Sequence, residues 1–273
     1  MIIDFHTHVF PDNMAKRVVD DMAVATGIMP YLDGTVGALT DSMAKAGIDI
    51  SILLPVLTKP SQFKTVNNYE LSIAHKYDNG AKLVAFGGVH PDSPTLRDDI
   101  REIRRMGMKG IKLHPDYQLI DFDDPRNIRA VDYASEEGLI TVVHAGLDMA
   151  FARHVHCTPP MVVNLLKEIS PEKLVLAHMG GLYYFDEVEE MLIDKDVYFD
   201  TAYYIGKTNP RQITRIMRNH GIDKILFATD SPWGDQSKNV ELFDTFELND
   251  EELKKVFYQN ALKLLGVNSA DDL

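Results

Sequence analysis

Eight short apolar runs recur along the chain, and their alternation with helix patterns limits the fold more than any other feature. The runs are Ile2–Phe5, Ile50–Leu57, Leu83–Val89, Gly110–Leu113, Leu139–Val143, Leu174–Ala177, Val197–Thr201 and Ile225–Thr229. They are short, β-branched and largely unbroken by polar residues, which suits strands buried on both faces of a parallel sheet. The intervening helix patterns carry start and stop signals. Thr40–Ala46 stops at Gly47, Ser93-Pro94 opens a stretch to about Met106-Gly107, and Asp124-Pro125 opens one ending near Glu137-Gly138. Pro159-Pro160 precedes Met161–Ile169, and Asn209-Pro210 precedes Arg211–His220, which closes at Gly221. Asp250-Glu251-Glu252 puts negative charge at the start of Leu253–Leu265, where it favours a helix. Eight strands alternating with helices over 273 residues predict an α/β chain, a (β/α)8 TIM barrel forming one domain over 1–273. An open doubly wound sheet is the runner-up, but its phosphate fingerprint G-x-G-x-x-G does not follow the first run.

Phe10–Thr35 is too long for a simple connection between strand and helix. It holds a helix pattern at Asn13–Val24, then Gly27, Pro30 and Gly34. Loops after the strands cover the mouth of a barrel, so this segment is read as a lid-like insertion after the first strand, or an entrance wall. A surface insertion with no role is the alternative. The net charge of −13, from 28 basic and 41 acidic side chains, repels phosphate backbones and argues against nucleic acid. Cys157 is the only cysteine, which excludes an intrachain disulfide. No cationic-then-apolar leader and no membrane-length apolar run is present, so no membrane partner is expected. The expected location is the cytoplasm and the expected partner a small-molecule substrate. A symmetric homo-oligomer is the default expectation.

Polar residues gather where the predicted strands end. The first run ends in His6 and His8, the third in His90, the fourth carries Lys112 and His114, the fifth ends in His144, the sixth in His178 and the eighth in Asp230. Side chains two apart on a strand share a face, so His6 and His8 can grip one ion. In a barrel these strand ends converge on one pocket. Six of the ten histidines stand there, which scatter does not explain. Imidazoles with a carboxylate suit zinc, manganese, iron or cobalt better than calcium or magnesium. Such an ion would activate a water, and Asp230 beside it could take the proton as general base. His90, Lys112 and His114 are candidates for substrate contact. Arg153, His154, His156 and Cys157, in the loop after the fifth run, read better as solvated loop residues. Asp200, Tyr203 and Trp233 are candidates for the pocket wall, whereas His75 and His220 read as structural.

The motifs His6-Thr7-His8, Val142-Val143-His144-Ala145-Gly146, Leu176-Ala177-His178-Met179-Gly180-Gly181 and Ala228-Thr229-Asp230-Ser231-Pro232 resemble the amidohydrolase superfamily. More narrowly they are similar to its amidohydrolase-related branch of metal-dependent hydrolases and decarboxylases. The resemblance extends to Asn260-Ala261. It implies a distorted TIM barrel, with His6, His8, His144 and Asp230 as ligands of one divalent metal, usually zinc. It implies further that His178 sits near the metal and assists catalysis. Some superfamily members carry a carboxylated lysine between two metals. A carboxylated Lys112, with His144 and His178 on a second ion, is therefore the less favoured arrangement. The expected activity is hydrolysis of a small amide, ester or lactone. The alternative is a lyase, a non-oxidative decarboxylase or hydratase of a small unsaturated or aromatic acid. The greater length associated with decarboxylases of this branch tilts the expectation to hydrolysis. A non-catalytic binding barrel is disfavoured by the complete ligand set.

Overall fold

A computed structural model describes residues 1–74, 81–203 and 208–273. His75 lies outside the described residues. The strands are β1 (Ile3–Thr7), β2 (Ile50–Leu53), β3 (Lys82–Ala85), β4 (Gly87–Gly88), β5 (Gly110–Leu113), β6 (Ile140–Val143), β7 (Leu174–Leu176), β8 (Tyr198–Asp200) and β9 (Ile225–Leu226). Strands β1 to β3 pair in sequence order, β4 to β9 do the same, and every pair is parallel. Between them come α1 (Asp12–Thr26), α2 (Val36–Ala46), α3 (Phe63–Ala74), α4 (Leu96–Arg105), α5 (Pro115–Gln118), α6 (Pro125–Glu136), α7 (Pro159–Glu168), α8 (Phe185–Met191) and α9 (Pro210–His220). The chain ends with α10 (Gln236–Leu242), α11 (Asp250–Lys254) and, after a π-helical turn at Lys255–Gln259, α12 (Asn260–Leu265). No helix of the described residues is long and apolar enough to cross a membrane.

The eight expected runs all become strands, and the third is divided. Lys82–Ala85 pairs with β2 and Gly87–Gly88 with β5. Phe86 between them donates its N–H to Leu53 O at 3.0 Å, so the two pieces follow one path around the barrel. The ends meet where Phe5 N donates to Phe227 O (2.9 Å), Asp230 N to His6 O (2.9 Å) and His8 N to Ser231 O (2.7 Å). Those bonds bring the segment after β9 against β1. The fold is that of a TIM barrel.

Two apolar layers result. Leu53, Leu83, Ile111, Leu113, Leu174 and Phe199 pack outward under the helices. Ile3, Phe5, Ile52, Phe86, Val142, Val175 and Leu226 fill the barrel itself, with Phe5 and Phe86 edge to face. α12 closes the floor through Ala261, Leu262 and Leu265, packed against the same cluster. Asn260 Nδ2 secures it by donating to Ile222 O (2.7 Å) and Ile225 O (2.8 Å).

β1 contains an irregularity that alternation alone does not foresee. Asp4 pairs with Ser51 but Thr7 with Leu53, three steps on β1 against two on β2. The extra residue is a bulge, which re-aims side chains. Phe5 can therefore fill the barrel while its neighbour His6 also faces inward. Asp4 turns out of the barrel and accepts from Thr229 Oγ1 and Gln236 Nε2.

Candidate active site

A cavity of about 640 Å³ opens at the strand ends. His6, His8, Lys112, His114, His144, His178 and Asp230 line it together, although they come from five strands or the segments that follow them. His90 does not line it. Pro91 carries the chain away at that point, and the His90 ring accepts from Asp92 N (3.2 Å) instead. Gln118, donating to Val89 O and Leu57 O, fills the space beside it.

His6, His8 and Asp230 form one group whose ligand atoms all lie within 4.8 Å of one another. The outer nitrogen of each imidazole is tied to an acceptor. His6 Nδ1 donates to Asp200 Oδ2 (2.8 Å) and His8 Nδ1 to Leu54 O (2.7 Å). In the neutral rings both Nε2 atoms are then lone-pair acceptors, yet they stand 3.1 Å apart. Asp230 Oδ1 approaches them at 3.2 and 3.6 Å. Lys112 Nζ reaches His6 Nε2 at 3.1 Å, but the close His8 and Asp230 atoms call for a further cation among them, and metal-binding histidines hold their second nitrogen in this way. The residues present therefore fit a divalent ion.

His178 and His144 form the next group. His178 Nδ1 donates to Ala202 O (3.2 Å), leaving Nε2 directed at His144 Nδ1, 3.0 Å away. His144 stacks on His114 at 4.2 Å with the rings 9° from parallel. Burial holds both of these rings well below the usual imidazole range, so they stack uncharged. His144 thus stands beside the His6, His8 and Asp230 trio, next to His178, and not within that group. His144 Nε2 and Asp116 Oδ2 are buried without hydrogen-bond partners, 3.6 Å apart.

Lys112 is buried with Nζ 3.1 Å from His6 Nε2. Burial lowers its pKa to about 8. Asp230 is pushed upward by burial, but the neighbouring His6 and His8 outweigh that and hold it at about 2. His178 (φ 58°) and Asp230 (φ 62°) both adopt left-handed backbone, which costs a non-glycine residue energy and recurs at functional sites. Gly146, after His144, has φ 88° and packs so closely that a Cβ there would lie 2.0 Å from Leu182 N.

The insertion forms part of the cavity wall. Phe10, Pro11, Met14, Val18, Asp21, Met22 and Thr26, from α1 and the segment before it, line the cavity. Trp233 also lines it, edge-on to His8 at 5.6 Å, as does Tyr203. Asp200 acts from behind: besides holding His6, its Oδ1 accepts from His178 N (2.9 Å). Arg153 is exposed outside the cavity, and Cys157 is buried. His220 is structural, but through burial. It stays below the usual imidazole range, stacks on Phe199 at 3.9 Å and donates to Val197 O (2.8 Å). Sequence reasoning missed Asp148, which lies 3.7 Å from His114 Nε2, and Glu70, a buried carboxyl on the cavity wall. No motif marks either one.

Similar structures share the whole architecture. An uncharacterised TIM-barrel protein from Bordetella bronchiseptica superposes with TM-score 0.78 at 17% identity, covering 97% of this chain and 98% of its own. 5-Carboxyvanillate decarboxylase from Sphingomonas paucimobilis gives 0.71 at 15%, covering 98% and 99%. A dihydroxybenzoic acid decarboxylase from Polaromonas sp. JS666, solved with manganese and 2-nitroresorcinol, gives 0.73 at 14%, covering 100% and 98%. These decarboxylases align over nearly their full length, so chain length does not tilt the reading to hydrolysis. No curated protein matches. The amidohydrolase family model matches residues 3–267, and the chain belongs to the amidohydrolase family.

Proposed function

We propose that this enzyme is a metal-dependent lyase that releases carbon dioxide from a small aromatic or unsaturated acid. The observation that carries the reading is Lys112. Its ammonium is buried at the cavity, contacts His6, and makes no ion pair with any described residue. Asp200 and Asp230 act on it only from beyond ion-pair distance, and a substrate carboxylate would give the buried cation the direct partner it lacks. The similarity to two named decarboxylases supports the reading.

His6, His8 and Asp230 would hold one divalent ion, zinc or manganese; His144, expected as a fourth ligand, faces His178 and Asp116 instead. Bound there, such an ion polarises a substrate oxygen and lowers the pKa of a water. The chain's own residues do the rest. Lys112 pairs with the substrate carboxylate. As carbon dioxide leaves, the electrons of the broken C–C bond remain on the substrate carbon, and a proton taken up from solvent and relayed through His178 Nε2 replaces it. Asp200 keeps His6 and the His178 backbone in place. The apolar wall from α1 excludes water. Lys112 is read here as an uncarboxylated ammonium, with Nζ 3.1 Å from His6 Nε2.

Hydrolysis of a small amide, ester or lactone is the second reading. It is favoured by Asp230, the most accessible member of its trio, which could act as base toward a water in the cavity. The deciding experiment is a panel of aromatic and unsaturated acids alongside esters, lactones and amides. Carbon dioxide release with one deuterium on the product carbon in D2O is expected. Turnover confined to the esters, lactones or amides overturns the lyase reading. Lys112→Met should raise KM for the acid by about 10-fold or more, the loss expected for a charge-assisted pair.

A further inference from the structure

We propose that Asp121, His154 and His156 form a second, peripheral site for a divalent transition ion such as zinc. Their ligand atoms lie within 4.8 Å of one another. They share no residue with the His6, His8 and Asp230 trio. His156 is the anchored member. Its Nδ1 donates to Asp116 Oδ1 at 2.8 Å, and its backbone N–H donates to the same oxygen at 3.0 Å. That contact fixes the tautomer and leaves Nε2 with a lone pair, the carboxylate–histidine arrangement that supports metal ligands. The His154 ring stands edge-on, 4.4 Å from the His156 ring. His154 Nε2 lies 2.7 Å from Asp121 Oδ1. Two imidazoles and one carboxylate, with a position left open, match zinc; calcium and magnesium prefer sets made of oxygen alone.

The graded exposure suits an ion that enters from solvent. The His156 side chain is 11% exposed, Asp121 40% and His154 59%. One ligand is preset, and the other two, bonded to each other at 2.7 Å, would exchange that bond for the ion. The site joins two loops at the barrel mouth. Asp121 follows α5, and the histidines end the loop after β6 that gives Leu147, Asp148 and Met149 to the cavity wall. Phe122 N donates to His156 O at 2.7 Å, so the loops already touch. An ion would cross-link them and stiffen that wall.

Equilibrium dialysis of tag-free protein against zinc tests the site. The His6→Ala/His8→Ala variant, which lacks the barrel trio, should still take up about one zinc per chain. Adding His154→Ala should abolish that uptake, and adding Asp116→Asn should weaken it by about 10–100-fold. His154→Ala alone should remove one zinc per chain from otherwise wild-type protein. His154 is exposed, so its replacement should leave the melting temperature unchanged. Equal uptake with and without His154, or no uptake by the double variant, overturns the peripheral site. A wild-type chain holding a single zinc that His154→Ala removes would keep this site and overturn the barrel one.

Discussion

Asp200 shows how one buried carboxylate shapes the site through its neighbours. One oxygen fixes the His6 tautomer and the other holds the backbone of His178. Replacing residues around it should separate ion binding from proton transfer. Asp230→Asn keeps the shape but loses the charge, and should keep some metal while losing nearly all turnover. His178→Asn should keep close to full metal and lose about 10²–10⁴-fold in kcat, the usual cost of removing a positioned acid–base group. Metal loss as complete as in His6→Ala would make His178 a primary ligand. Glu70 tests burial on its own. Its Oε2 has no partner, and burial raises its pKa from 4.5 to about 8. Between those values the folded chain binds a proton that the unfolded chain has released, so stability falls as pH rises through that window. Glu70→Gln should melt higher than wild type at pH 8, with the gap closing below about pH 5. A pH-independent difference would show that Glu70 is charged in the fold. The histidines and Asp230 were legible because strand ends fix where side chains point. Asp148 and Glu70 were not, because the path of a loop and the rotation of a helix place them.

At the scale of elements, the alternation of runs gave the strand order, while local backbone events did not show in it. The bulge in β1 and the division of the third run at Phe86 both depend on which neighbour each strand end meets. α1 spans Asp12–Thr26, close to the expected Asn13–Val24, but its place on the cavity became visible only with the fold. Its seat depends on Gly34. There φ is 81°, Phe10 N donates to Gly34 O at 2.9 Å, and an added Cβ would lie 2.7 Å from Val19 Cγ2. Gly34→Ala should cost about 1–3 kcal/mol, from the left-handed backbone and the contact together. The damage should stay local. Limited proteolysis should cut faster between residues 10 and 35, with metal content unchanged. Uniform proteolysis across the chain would show that α1 is part of the global core and not a separately seated wall.

For the whole molecule the question is whether 1–273 unfolds as one unit. The bonds from β1 to the segment after β9 tie the first strand to the last, and α12 closes the floor against side chains from several strands. Loss at the floor should therefore reach the mouth. Asn260→Ala leaves Ile222 O and Ile225 O without their shared donor. Two buried carbonyls without partners should cost about 2–4 kcal/mol. For a chain of this size that lowers Tm by roughly 5–15 °C. Trp233, the only tryptophan, stands at the mouth against His8 and reports that end by fluorescence. Circular dichroism reports the helices throughout. In a single cooperative unit both signals shift by the same amount in Asn260→Ala, and their transitions coincide. If the Trp233 transition stays at its wild-type temperature while the helical signal falls earlier, the floor and the mouth belong to separate units and the single-domain expectation fails.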